Sequence, residues 1–402
     1  MFDPAAATEA LLSALPAAAR VKAVHYTQGG HWVLLWGWLV GVVAAVIIAR
    51  IGILRRVRDG AQRRRPRALA TAFAVTVVFI LADWVLELPW TAYAQWWREK
   101  SYGLTSQPFG GWLGENLINL ALACLFAGLF FMALYALIRR APTTWWLWAA
   151  GVAALFQIIG MIIAPIAIEP IFNHYTPAPA SPTRDAVVAL AKKAGVPSDK
   201  IYVYNGSKQS NRYTANVSGV FGSARVAMSD VMFAKGADIA EVRGVVGHEM
   251  GHYKLNHIFQ AVGLLIVLSL LTFFLIDRLF PIVDRWVGSG AANLADPAGL
   301  PTLMIVLSTL LLLLTPVQNT FSRYEESAAD AFSLRVANEP SGLAKALVKT
   351  IEYRADSPGA LEEFVFYDHP SVRRRVQRAM DWKAAHLALA KQQEKAVGVT
   401  GP

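Results

Sequence analysis

Cysteine is almost missing from this sequence. The 402 residues include one, Cys124, and it lies inside a long apolar run. A disulfide framework and a cysteine-based metal site are therefore excluded, and Cys124 reads as a small apolar helix residue. Charge is scarce as well: Asp, Glu, Lys and Arg make up 16% of the chain, where soluble domains carry roughly 25%. Hydrophobic residues make up 55%, and the mean hydropathy is +0.38. A cleavable leader is not expected, because residues 1–19 hold acidic and small residues with Pro16 and no basic stretch before an apolar core. The first span would then stay in place as its own signal. Acidic residues are outnumbered, giving a net charge of +10. In a chain with several spans such an excess fits Arg and Lys meeting anionic headgroups, and no nucleic-acid partner is expected.

The apolar runs dominate what is present. Because roughly 20 apolar residues cross a bilayer, about six spans are expected. They cover Trp32 to Ile53, Ala68 to Leu88, Leu117 to Ile138, Trp145 to Ile168, Ile258 to Ile276, and Leu303 to Pro316. The expected organisation is an N-terminal segment (1–31), four spans with short loops (32–172), a polar region (173–257), two spans (258–320) and a second polar region (321–402). Two crossings return the chain to the side it left, so both polar regions can build one water-facing domain. Within the first, Thr183 to Ala194 predicts a helix and Lys200 to Tyr204 a strand. Tyr213 to Val220 and Ala224 to Met228 predict a hairpin across Phe221-Gly222-Ser223. Arg55, Arg56, Arg58, Arg63, Arg64, Arg65 and Arg67 follow the first span. The positive-inside rule puts that loop in the cytoplasm and, with six spans, the polar regions on the opposite side. The fold class is thus mainly α: a polytopic membrane protein carrying a zincin-like domain with a small β-hairpin or sheet.

The zincin expectation comes from His248-Glu249-Met250-Gly251-His252, an H-E-x-x-H motif in a stretch that reads as helix from Asp238. Histidines at i and i+4 share one helix face and can grip one zinc ion, with the glutamate beside them as general base. A catalytic zinc takes three protein ligands and a water. Glu326, in the run Ser322 to Asp330 after the last span, is the best third ligand. Asp330 shares its face and can accept from a ligand histidine's free ring nitrogen. Glu325 points about 100° away and is the weaker choice. His257 reads as a marker of the membrane interface and stays outside the site.

These residues resemble the type I CAAX prenyl protease family, integral-membrane zinc endopeptidases of the gluzincin kind. The resemblance covers most of the chain after Glu99. It rests on Glu99-Lys100-Ser101-Tyr102-Gly103-Leu104, on Glu169 to Pro177, on Ser207 to Tyr213, on H-E-M-G-H, on Ser322 to Asp330 and on His369-Pro370, in family order. It implies a large intramembrane chamber capped by one zinc per chain. It implies that Asn211 and His369 hold the substrate backbone or the oxyanion, and that Arg375 supports that side. Eukaryotic members have seven spans, so this chain departs by one fewer in its N-terminal third and by a shorter loop after the first.

The expected activity is a zinc metalloendopeptidase. His248, His252 and Glu326 hold the metal, Glu249 is the general base, and His369 and Arg375 complete the catalytic set. Asp330 stands behind the ligands and Asn211 binds substrate. The substrates in contention are lipidated CAAX-type C-termini and misfolded membrane proteins or peptides. The Ala- and Arg-rich composition suits a bacterial inner membrane. A membrane transporter or scaffold with a non-catalytic metal site is the alternative, and Asp83, Glu87 and Glu115 in or near the spans would fit it.

Overall fold

The computed structural model describes residues 2–64, 67–219, 224–233 and 238–396. The Phe221-Gly222-Ser223 turn and Arg65 lie outside the described residues.

The N-terminal half is helical. Asp3 caps α1 (Pro4–Ser13), its carboxylate accepting from the Ala5 and Ala6 amides. Next come α2 (Ala17–Ile51), α3 (Ile53–Arg64) and α4 (Ala68–Thr91). α4 carries Pro89 and passes through a π-helical turn (Ala92–Trp97) into α5 (Arg98–Ser101). A proline inside a helix removes one ladder bond, which suits such a turn. α6 (Phe109–Arg140) and α7 (Trp145–Ile163) follow, and a second π turn (Ala164–Ile168), holding Pro165, leads into α8 (Glu169–Phe172).

The polar region then builds β1 (Tyr175–Pro177), α9 (Pro182–Ala194), β2 (Ile201–Tyr204), β3 (Ala215–Ser218) and β4 (Arg225–Ser229). The strands form one sheet in the order β1-β2-β4-β3, with β2 and β4 parallel and the outer pairs antiparallel. Val217 faces Val226 across the β3–β4 ladder. The remaining helices are α10 (Ile239–Lys254), α11 (His257–Val287), α12 (Leu300–Ala337), α13 (Pro340–Lys349), α14 (Ala360–Phe366), α15 (Val372–Ala385) and α16 (Leu387–Ala396).

Among the described residues six helical stretches are long and apolar enough to cross a membrane: Ala17–Ile51, Ala68–Ser101, Phe109–Arg140, Trp145–Phe172, His257–Val287 and Pro297–Ala337. The chain is an integral, multi-pass membrane protein. The helices overrun the apolar runs that announce them, because hydropathy marks contact with lipid while the hydrogen-bond ladder continues into water. The expected boundaries at 31/32 and 320/321 therefore fall inside α2 and α12.

Arg50 at the end of α2 donates to the carbonyls of Val287 (2.6 Å) and Trp286 (2.6 Å), and Arg58 of α3 pairs with Asp296. The arginine-rich loop and the 288–299 loop thus share one end of the bundle. α1 packs on α15 and α13 at the other end, with the water-facing domain. Among the described residues three buried apolar clusters are found. One lies among the spans around Ile48, Tyr135, Trp145, Ile276 and Leu300. A second joins sheet, α9 and α10 through Leu190, Val226, Met228, Val246 and Met250. A third joins α1, α13 and α15 through Leu12, Leu343, Val376 and Met380.

Candidate metal centre

α10 carries the paired histidines because its start is well defined. Asp238 occupies the N-cap, and its carboxylate accepts from the Ala240 amide at 2.9 Å. The helix then crosses α12 and α13 at very short range. A Cβ on Gly244 would sit 2.8 Å from the Leu343 backbone nitrogen, and one on Gly251 would sit 3.0 Å from Ala329 Cα. Backbone cannot yield as a side-chain tip can, so a side chain at 244 would force the helices apart, and one at 251 would meet a tight contact. Ser333 donates to the Gly244 carbonyl at 2.7 Å, and Arg243 ties α10 to Glu339 at 2.9 Å. This crossing carries His248 and His252 to Glu326.

The three converge. His248 Nε2 lies 3.1 Å from His252 Nε2, 3.2 Å separates it from Glu326 Oε2, and 3.3 Å separates His252 Nε2 from Glu326 Oε1. Ligands about 2.0–2.1 Å from a tetrahedral zinc lie about 3.3–3.4 Å apart, so this triangle has the size the ion needs. Glu326 is 7% exposed, and among the described residues its Oε2 accepts no well-aligned hydrogen bond, although His248 Nε2 and His369 Nε2 each stand 3.2 Å away. A buried, unsatisfied carboxylate oxygen beside two imidazole nitrogens is a donor set suited to a cation. These residues fit zinc.

The surroundings orient the set. Asp330, 2% exposed, meets His248 Nδ1 at 2.9 Å. Arg375 grips Asp330 with two bonds, Nε to Oδ2 at 2.8 Å and Nη2 to Oδ1 at 2.7 Å, and its Nη2 is 3.5 Å from Glu326 Oε2. Without a metal, burial pushes the His248 imidazolium down, but bonds to Asp330 and Glu326 more than offset this and raise it to about 10. Burial opposes the Arg375 charge as well, and Asp330 overrides it, so its pKa is raised. The Glu249 carboxyl is held above the usual range by burial, against the pull of His248 and His252.

His369 lies in the loop between α14 and α15. Its Nε2 is 3.2 Å from Glu326 Oε2, and its Nδ1 is 2.8 Å from Asp368 Oδ1. Burial holds this ring below the ordinary histidine value. Asn211 is placed differently. Its amide nitrogen donates to the Gly103 carbonyl at 3.0 Å, and its backbone amide donates to Leu104 at 3.0 Å. Arg212 reaches Glu99 at 2.8 Å. The Glu99–Leu104 and Ser207–Tyr213 stretches, far apart in sequence, are therefore one tied unit.

His257 is the residue that sequence reasoning left outside. Asn256 adopts a left-handed conformation (φ 56°) between α10 and α11 and folds the chain back on itself. The His257 ring lands 2.9 Å from His252, Nδ1 to Nδ1. Spacing alone hides this, since i+5 faces away on a continuous helix.

Two hollows flank the site along β3. One, of about 210 Å³, is lined by Ala215, Glu249, Leu343, Leu347 and His369 among others. The other, of about 410 Å³, is lined by Val217, His252, His257, Phe259 and Glu325 among others.

Residues 178–383 match peptidase family M48, and residues 5–174 match the family described as CAAX prenyl protease N-terminal, five membrane helices. Four of the six candidate spans fall in that second stretch. An uncharacterized metalloprotease of Bacillus subtilis, YhfN, is 28% identical over 338 residues, covering 82% of this chain and 78% of that one. CAAX prenyl protease 1 of Saccharomyces cerevisiae is 27% identical over 322 residues, covering 74% and 69%. Among solved structures the chain is similar to Ste24p of S. mikatae, with a TM-score of 0.75 and 22% identity over 92% of this chain and 90% of that one. At that identity the likeness speaks to the fold alone.

Proposed function

The chain belongs to peptidase family M48 and is an integral-membrane metalloprotease like the CAAX prenyl proteases, and from that premise we propose how it cuts and what it cuts. It is a zinc endopeptidase, with the ion held by His248, His252 and Glu326. The observation that carries this is the triangle of ligand atoms, all within 4.8 Å of one another, with Glu249 on the same helical turn.

When bound, zinc supplies a Lewis acid at the point where the three side chains converge. Glu249 takes the proton of the attacking water and later delivers it to the leaving amine. Its burial supports that role, because it leaves a carboxyl readier to hold a proton in passing. His369 donates from Nε2 to the developing oxyanion. Donating there while Asp368 accepts from Nδ1 requires the imidazolium, which Asp368 favours and burial opposes. Arg375 acts through Asp330, which fixes the tautomer of His248. Asn211 supports the substrate through the Gly103–Ser106 loop that it holds, Ser106 donating to its side-chain oxygen at 3.3 Å. The peptide lies extended along β3, with side chains falling into the two flanking hollows.

The substrate class we propose is a membrane-tethered C-terminal peptide of the lipidated CAAX type. The similarity to CAAX prenyl protease 1 and the partly apolar hollows beside the span support it. Misfolded membrane proteins are the competing class. Purified protein should contain about one zinc per chain and cleave peptides in a chelator-sensitive way. A farnesylated CAAX peptide cut far faster than its unmodified twin supports the first class. Equal rates turn the reading toward clearance of unfolded chains. No zinc and no cleavage would leave a transporter or scaffold.

A further inference from the structure

The two ligand histidines are held from behind by different chemistry. His252 turns Nε2 to Glu326 and His248, so Nε2 is the atom that ligates. Its Nδ1 then carries the ring proton and needs an acceptor. For His248 that acceptor is a carboxylate, Asp330. For His252 it is another ring: His257 Nδ1 at 2.9 Å, with the rings edge to face at 79° and centroids 4.9 Å apart. His257 is 4% exposed and is the first residue of α11, turned back by the left-handed Asn256.

We propose that His257 is a positioning residue of the zinc site. Its Nδ1 lone pair accepts the His252 Nδ1–H, fixes the tautomer that presents Nε2, and sets the plane of the ring. This assigns His257 the neutral form with its proton on Nε2. The inference rests on the zinc reading above. It makes the support of the two ligands unequal. A charged acceptor clamped by Arg375 raises the donor strength of His248, while a neutral imidazole raises that of His252 less. It also fastens a metal ligand to the first turn of a membrane span.

Two variants of the full-length protein in detergent separate acceptor from bulk. His257→Asn puts a carboxamide oxygen where Nδ1 stands, and His257→Leu keeps an apolar filling without an acceptor. Zinc affinity is measured by chelator competition, cobalt(II) by its visible spectrum, and the metal-free melting temperature alongside. The Leu variant should lose about 10–100-fold in zinc affinity with an altered cobalt spectrum and little change in metal-free melting, while the Asn variant stays within about threefold of the parent. A Leu variant that binds as tightly as the parent overturns the inference. So does equal loss in both variants, which would assign the effect to packing. A parent protein that takes up no metal overturns the zinc reading itself and is told apart by that result alone.

Discussion

At the scale of single residues, the site is organised by what faces each second nitrogen or oxygen. Glu249 is the only member of the H-E-x-x-H set with no share in holding the ion. Glu249→Gln should therefore retain zinc by elemental analysis while turnover falls by about 10²–10⁴-fold. A variant that cleaves peptide at the parental rate removes Glu249 from the reaction. Asp330 has the opposite signature. Asp330→Asn keeps the shape but weakens both the acceptor for His248 and the partner of Arg375. Zinc affinity should fall by about 10–100-fold, read by chelator competition. Protons compete with the metal as well. The His248 imidazolium of the metal-free site persists up to about 10. Zinc binding must then expel a proton across the neutral range, and affinity should rise with pH. In the metal-free protein the sign reverses. The raised His248 value contributes stability that is complete below about 6.5 and is lost as pH rises through about 10. Opposite pH trends of zinc affinity and metal-free stability would show both effects; parallel trends would contradict them.

At the scale of elements, the crossing of α10 over α12 and α13 decides whether the ligands meet at all. Gly244→Ala forces a methyl against the Leu343 backbone. It should cost about 1–3 kcal/mol of stability and lower zinc occupancy, both measurable in detergent by thermal unfolding and metal analysis. Unchanged melting would mean that the helices slide apart without penalty. This crossing also separates what the sequence disclosed from what it concealed. His248 and His252 were visible because i and i+4 share one helix face, Glu249 because it stands beside them in the motif, and Glu326 because a carboxylate and Asp330 recur at i+4 beyond a span. The β3–β4 pairing was visible as two strand-like runs on either side of Phe221-Gly222-Ser223. His257 was hidden because its approach depends on one left-handed residue, Asn256. Arg375 was named by the family resemblance and not by its own run, Arg373-Arg374-Arg375, in which the register of α15 makes it the buried member: Arg375 is 7% exposed while Arg374 is 61% exposed at its side chain. Helix length was hidden too, since hydropathy falls after the apolar run that ends at Pro316 while the α12 ladder continues to Ala337.

At the scale of the whole molecule, the two ends of the bundle are chemically distinct. One holds Arg50, Arg58 and the 288–299 loop, and the other holds the water-facing domain. Cys124 is the sole cysteine, so a Cys124→Ala background permits clean labelling. Ala292→Cys and Lys192→Cys, both at exposed positions, should react with an impermeant thiol reagent from opposite faces of sealed vesicles. Reaction from the same face would mean an even number of crossings between them.

One rod fixes the height of the chemistry. α12 is a single helix of 38 residues, about 57 Å long at about 1.5 Å per residue. Glu326 stands about 39 Å along it from Leu300, while the oily slab is about 30 Å thick. With Leu300 at the far margin of the slab and the helix upright, the proposed blade would stand about 9 Å above the near margin. An extended strand climbs that gap in about three residues. A chain moored by grease at its tail would be clipped a few links above its mooring, and the ruler that counts those links is the helix itself.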